Sequence, residues 1–210
     1  MSRERRTRRA MLAGLGAVAA AGAMGVRAAE AQGAAPFAPT LHQEDAWMSA
    51  LPGRHRVVLD VTSPEGMPDA IRFVGNLFTG HKTGYSVEES ELALIVCLRH
   101  GATPFGYTDA IWSKYGKSID AKATPPPAAN PYNTGARQQL ADLAKRGVHF
   151  MVCGTASRGL AGRIAGQGGD ADAVMREMAA NVLPNGRVVP AGVIGVTHAQ
   201  ERGFALLYVG

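Results

Sequence analysis

The sequence feature that most constrains the fold is a run of seven apolar residues, Leu92–Leu98, with charged residues on both sides. A strand with one face in solvent alternates polar and apolar side chains, and this run has no polar face. Such uninterrupted runs are typical of strands that are buried on both faces of a parallel sheet. The rest of the chain therefore has to supply helices for both sides of a sheet.

Four further segments are predicted to be strands, and segments with apolar residues at helical spacing separate them. The predicted strands are 56–62, 148–152, 188–194 and 204–209. The predicted helices are 69–78, 105–115, 133–146, 170–182 and 197–202. Two segments are expected to lack regular structure, namely the proline-rich 121–131 and the glycine-rich 158–169, the latter as a loop or a broken helix. This alternation predicts an α/β sandwich with a mainly parallel five-stranded sheet and right-handed crossovers that place helices on both faces.

The first 31 residues have the three zones of an export signal. An arginine-rich head precedes an Ala/Gly-rich run at 10–26, and Ala29-Glu30-Ala31 offers a cleavage site. The adjacent Arg8 and Arg9 before this run are typical of a twin-arginine (Tat) signal. The alternative is a membrane anchor, but seventeen residues dominated by alanine and glycine are short and weakly apolar for a span of about 20 residues. We therefore expect cleavage after residue 31 and a periplasmic protein.

Without its leader the chain is almost neutral. Of the 22 basic and 17 acidic side chains, six arginines and two glutamates lie in residues 1–31, which leaves 16 basic and 15 acidic groups and a net charge of +1. Nothing in the remainder suggests a nucleic-acid-binding surface. We expect an N-terminal arm at 32–53, docked by Trp47 and Met48, then one domain at 54–210 with no membrane attachment after cleavage.

Cys153 is the candidate reactive residue, because it directly follows the predicted strand 148–152. Ligands and catalytic groups gather just beyond the carboxyl ends of parallel strands, and the backbone N–H groups of 154–158 would stabilise a thiolate there. The alternative is a small apolar side chain that closes a core strand, since free cysteines are among the most buried residues. Cys97 also lies in a predicted strand, and we expect no structural disulfide between the two cysteines.

Two further residues are candidates for the same crevice. His100 follows the Leu92–Leu98 run and, as an imidazolium, would favour the thiolate form of a cysteine beside it; the alternative is a loop histidine bonded to backbone. Arg158 would hold an anionic substrate; the alternative is a solvated arginine at a helix start. A copper or zinc site from His100, His149 and Cys153 is the weaker hypothesis, because the six histidines show no paired metal-binding spacing.

Four stretches of the sequence resemble the DsrE/DsrF-like family of small α/β proteins, in particular its exported members with a Tat-type leader. They are RHRVVLD at 54–60, LRHGATPF at 98–105, RGVHFMVCG at 146–154 and VVPAGV at 188–193. The resemblance covers nearly all of the mature chain. It implies a three-layer α/β/α sandwich, similar to flavodoxin but without the flavin or any other cofactor, and assembly into homo- or hetero-oligomers.

The resemblance also implies a function. Family members with known roles are sulfur-relay proteins, in which a cysteine at a strand end accepts a persulfide sulfur and passes it to a partner. Here that cysteine would be Cys153, with Arg158 downstream and His100 as a helper, and the partners would be a second copy of the chain and a sulfur donor or acceptor protein. The alternative is a non-catalytic oligomeric module that binds a small ligand, with Cys153 as a core residue. For the contact surface we expect Met175, Met178 and the strand at 204–209.

Overall fold

Five parallel strands form the centre of the fold in a computed structural model, which describes residues 38–133 and 139–210. The strands are β1 (His55–Val61), β2 (Leu92–Leu98), β3 (His149–Cys153), β4 (Gly186–Val189) and β5 (Ala205–Val209). Their order across the sheet is β4-β3-β2-β1-β5, and all four neighbouring pairs are parallel. The carboxyl ends of the strands therefore lie at one edge, and the predicted five-stranded sheet is confirmed.

Helices cover both faces of this sheet, which confirms the predicted α/β sandwich. They are α1 (Ala46–Ala50), α2 (Met67–Tyr85), α3 (Asp109–Ile119), α4 (Gln139–Lys145), α5 (Gly154–Ala165), α6 (Ala171–Ala180) and α7 (Gly192–Glu201). Helices α2 to α6 pack on one face, and α1 and α7 pack on the other. We call these the α2 face and the α7 face.

Strand β2 is the most deeply buried element of the sheet. All seven of its side chains are buried. Leu94, Val96 and Leu98 pack on the α2 face, while Ile95 and Cys97 pack on the α7 face. The predicted burial of both faces of this run is therefore confirmed.

The predicted leader at 1–31 and the beginning of the predicted arm, up to residue 37, lie outside the described residues. From Pro39 onwards the chain forms one compact unit. Its first part lies on the α7 face, where Met48 is fully buried and the Arg56 guanidinium donates hydrogen bonds to the carbonyl oxygens of Met48 and Leu51, at 3.0 and 2.9 Å. Within the described part of the chain, no helix combines the length and apolar character that crossing a membrane requires.

The prediction of a loop or broken helix at 158–169 is wrong, because α5 runs without interruption from Gly154 to Ala165. Three of its side chains, Ser157, Leu160 and Ala161, are buried, and this packing outweighs the low helix propensity of glycine. The helix ends at Gly166, which has a φ of 64°. A positive φ favours glycine. Glycine in this segment therefore ends the helix and does not prevent it from forming.

Two predicted element boundaries are also wrong. The strand predicted at 188–194 is β4, which ends at Val189, and Val193 and Ile194 belong to α7. The helix predicted at 105–115 is divided into a 3-10 helix at His100–Gly106 and α3. Proline has no N–H for a sheet ladder, so Pro190 after Val189 is consistent with the early end of β4.

The predicted contact surface is wrong for Met178, which is fully buried and packs in the core with Leu160 of α5. The last strand does present apolar surface, because Leu206, Leu207 and Tyr208 are 39, 38 and 64% exposed. Strand β5 lies at one edge of the sheet, beside β1.

Candidate functional site

At the carboxyl edge of the sheet, the candidate thiol lies between the N-termini of two helices. Cys153 is the last residue of β3 and the N-cap of α5. Its Sγ accepts a hydrogen bond from the backbone N–H of Gly192, at 3.2 Å, and Gly192 is the first residue of α7. Helix N-termini carry partial positive charge and stabilise anions and thiolates. The surroundings therefore suit a sulfur that carries negative charge.

Gly192 is the residue that allows this contact. A Cβ atom at this position would lie 2.8 Å from Cβ of Arg99 and 3.3 Å from Cβ of Cys153. Since real Cβ contacts are not this short, a larger residue would push α7 away from the strand ends. The absence of a side chain thus brings the N–H of Gly192 to the sulfur.

Cys97 contacts the other side of the same glycine. Its Sγ donates a hydrogen bond to the Gly192 carbonyl, at 3.6 Å, and both cysteines are free thiols. Cys97 is completely buried, and burial raises the pKa of its thiol, with a further contribution from the charge of Asp60. Both thiols are buried, Cys97 completely and Cys153 with 6% exposure, so Cys97 is the less accessible of the two.

A buried ion pair that was not predicted lies next to the thiols. The Arg99 guanidinium donates to both carboxylate oxygens of Asp60, from Nε at 2.6 Å and from Nη2 at 2.8 Å. The two side chains are only 15 and 7% exposed. The hydrogen bonds to Asp60 raise the pKa of Arg99. An aspartate within the otherwise apolar end of β1 is the sequence signal that would have indicated a buried charge pair.

His100 contacts Arg99 rather than Cys153. Nη1 of Arg99 lies 2.6 Å from Nε2 of His100, and no hydrogen bond joins His100 to Cys153 in the described ranges. A guanidinium can only donate, so Nε2 is the acceptor and the ring proton is on Nδ1. The ring therefore bonds the guanidinium of the ion pair and does not bond the thiol.

Arg158 contacts the same turn that contacts the thiol. Its Nη2 donates to the Pro190 carbonyl at 3.5 Å, and Oγ1 of Thr155 donates to that oxygen at 3.3 Å. Pro190 comes two residues before Gly192. Arg158 is exposed and has no acidic partner within 38–133 and 139–210, so its guanidinium is available to an anion.

Two buried hydroxyls fix the backbone of Cys153. Ser157 Oγ donates to the Cys153 carbonyl at 2.8 Å, and the Tyr107 hydroxyl lies 2.5 Å from the same Oγ. Because Ser157 donates to the carbonyl, Tyr107 is the donor in the second bond. Burial raises the pKa of Tyr107 to about 12, so the phenol keeps its proton.

His149 lies away from this edge. It begins β3, which Cys153 ends, and its ring stacks on Trp47 with 5.9 Å between the centroids. The metal site formed by His100, His149 and Cys153 is therefore not assembled. In the described part of the chain, no group of three or more His, Cys, Asp or Glu side chains has a geometry that could hold a metal ion.

No protein-family model matches the chain, and no curated protein matches it. A similar solved structure is that of MTH1491, a protein of unknown function from Methanobacterium thermoautotrophicum, with 18% sequence identity and a TM-score of 0.44. The similarity covers 74% of this chain and 99% of that one.

Proposed function

We propose that the chain is a DsrE-like persulfide carrier or thiol sulfurtransferase that acts through Cys153. The observation that carries the proposal is the hydrogen bond from the N–H of Gly192 to Sγ of Cys153, at the point where α5 and α7 both begin. A persulfide keeps its negative charge near neutral pH, so a sulfur held by an N–H donor at helix N-termini is suited to carry one.

The proposed loading step is a displacement at sulfur. The Cys153 thiolate attacks a terminal sulfur of an inorganic polysulfide dianion, and the adjacent S–S bond of the polysulfide breaks. The electron pair of that bond leaves on a polysulfide dianion that is one sulfur shorter, and Cys153 becomes a persulfide anion. For delivery, the thiolate of an acceptor protein attacks the outer sulfur, and the Cys153 thiolate is the leaving group.

The neighbouring residues have separate roles in this proposal. Arg158, whose guanidinium bonds the turn at Pro190, attracts the polysulfide dianion and offsets its charge. Arg99 is neutralised by Asp60 and positions the turn that contains Gly192. His100 is a helper in this proposal, because its Nε2 accepts a hydrogen bond from Arg99 and holds that guanidinium in place.

The test is the intact mass of the protein after incubation with polysulfide. We expect the native chain to gain one or more sulfur atoms, Cys153→Ser to gain none, and Cys97→Ser to gain sulfur as the native chain does. Cys97→Ser is the matched control, because it removes the less accessible thiol on the other side of Gly192. Sulfur gained by Cys153→Ser, or by no form with any donor, would show that Cys153 is not a carrier.

A second candidate is an oligomeric module that binds a small ligand, with Cys153 as a core residue. The 6% exposure of Cys153 favours it, because buried cysteines are usually inert. Labelling with a thiol reagent near neutral pH separates the two functions. A carrier is labelled at Cys153 while Cys97 stays silent, whereas a core cysteine stays silent until the protein is denatured.

We further propose that the protein acts as a homo-oligomer in the periplasm after Tat export. Oligomerisation is supported by the exposed apolar side chains of the edge strand β5, and export by the leader-like sequence at 1–31. Sedimentation at micromolar concentration tests the first part, and a single monomeric species would contradict it. N-terminal sequencing of the periplasmic protein tests the second, with Gln32 expected as the first residue.

A further inference from the structure

A cavity of about 500 Å³ opens between α5 and the segments that follow β1 and β2. Its walls include Pro64 after β1 and His100, Gly101 and Thr103 after β2. The other wall is the stripe of α5 formed by Ala156, Gly159, Leu160 and Arg163. The cavity is thus separate from the turn at Pro190 that Arg158 contacts, although both lie at the carboxyl edge of the sheet.

The described residues on the walls of the cavity include an arginine and a histidine and no acidic residue. Arg163 is exposed and makes no hydrogen bond or ion pair with any residue in the described ranges. Its guanidinium folds back along α5, since a Cβ built on Gly159 would lie 3.9 Å from Nη1 of Arg163. No acidic side chain is among the described residues that line the cavity, so the charge of Arg163 is unbalanced there.

His100 is a second polar side chain on the wall of the same cavity. Its Nε2 accepts from Arg99, which leaves the Nδ1–H as the remaining donor of the ring. The residue has a φ of 51°, a left-handed conformation that is uncommon for residues other than glycine. Strained residues of this kind occur most often at binding sites, where the surrounding structure imposes them.

We propose that this cavity binds a small tetrahedral oxyanion, of the thiosulfate, sulfate or phosphate type. Arg163 supplies a charge-assisted hydrogen bond, and the Nδ1–H of His100 supplies a neutral one. Glycine at position 159 leaves room for the ligand beside the guanidinium. Binding does not require any reaction at Cys153, so the inference is independent of the proposed sulfur chemistry.

The test is titration calorimetry of the full chain with sodium thiosulfate, sulfate and phosphate, each at low ionic strength, where charge interactions are least screened. We expect saturable binding that Arg163→Gln weakens about tenfold or more, as the loss of a charge-assisted hydrogen bond would. Gly159→Leu should also abolish binding, by filling the cavity. The matched control is Arg72→Gln on α2, an exposed helical arginine that pairs with Asp69, and it should bind as the native chain does.

Two results would overturn the proposal, namely no saturable binding of any of the three anions, or binding that Arg163→Gln and Gly159→Leu leave unchanged. Cys153→Ser should bind the anions normally, so the oxyanion site is supported even if the thiol takes up no sulfur. Tighter binding of thiosulfate would support the site with a sulfur donor as its ligand. Tighter binding of phosphate would support it with a phosphate group as its ligand.

Discussion

At the scale of single residues, Gly192 determines how close α7 comes to the strand ends. A Cβ added at this position would lie 2.8 Å from Arg99 and 3.3 Å from Cys153, so we expect Gly192→Ala to overpack this point and to cost about 1–3 kcal/mol of unfolding free energy. Urea unfolding measures the cost. Gly75→Ala on α2 is the control, because no described atom beyond the adjoining backbone of its own helix lies within 4 Å of its added Cβ, and it should be neutral or stabilise the protein by roughly 0.5–1 kcal/mol. Equal effects of the two substitutions would contradict the close approach.

The Asp60–Arg99 pair is the second residue-scale determinant of the site. Because both side chains are largely buried, Asp60→Asn leaves the guanidinium without its counter-charge, and we expect a loss of about 3–5 kcal/mol of unfolding free energy. Asp69→Asn breaks an exposed pair with Arg72 and should change stability by at most about 1 kcal/mol. If denaturant unfolding gave similar losses for both variants, the buried pair would not be structural.

At the scale of secondary-structure elements, prediction succeeded where the local pattern of apolar residues indicated one kind of element only. Strand β2 was predicted correctly because burial on both faces leaves no polar residue in it. Helix α5 was missed because its glycines lower helix propensity, while the packing of Leu160 and Ala161 that stabilises it depends on residues distant in the sequence. The start of α7 was missed for a related reason, since β-branched Val193 and Ile194 resemble a strand locally.

The candidate site was also predictable only as far as local sequence determines it. The strand-end position of Cys153 was predictable from the order of the elements. The contact of Cys153 with Gly192 was not, because it depends on the packing of α7. Arg99 and His100 are neighbours in the sequence, but the pairing of β1 with β2 is what brings Asp60 to Arg99. Topology places residues at an edge, and side-chain packing decides which of them meet.

Substitution of Ile95 tests the central position of β2. Ile95 is completely buried on the α7 face, so Ile95→Asp would bury an unpaired carboxylate at a cost of several kcal/mol, comparable with the total stability of about 5–15 kcal/mol that domains have. Solubility and thermal melting of the purified variant measure the effect. Leu41→Asp places the same charge on an exposed side chain outside the sheet and should melt close to the native protein. Normal melting of the Ile95 variant would be incompatible with a central β2.

At the scale of the whole molecule, the two edges of the sheet differ in polarity and in hydrogen bonding. At the carboxyl edge, the groups around Cys153 are joined by hydrogen bonds and by a buried ion pair. Towards the amino edge of the α7 face, Trp47 covers His149 and Arg187, with its ring 4.1 Å from the Arg187 guanidinium carbon. In the part of the chain that the structure describes, His149 Nδ1 and Arg187 Nε are buried without a hydrogen-bond partner. Burial, with a contribution from the charge of Arg187, lowers the pKa of His149 below its ordinary value of 6.5.

This lowered pKa predicts that acidification destabilises the molecule. Below about pH 6.5 the unfolded chain takes up a proton at position 149 more readily than the folded chain does, so unfolding becomes easier as the pH falls. Above that value the side chain at position 149 is neutral in both states, and it contributes no pH dependence.

His149→Phe retains a ring against Trp47 and removes the titration. The native protein should therefore lose stability relative to this variant between pH 7.5 and 5.5, as measured by urea unfolding at each pH. His149→Gln should show the same relative gain at acid pH, because it also lacks a group that titrates there. Unfolding free energies of native and variant proteins that stay parallel across this range would mean that the ring of His149 is solvated in the folded state, and that Trp47 does not cover it.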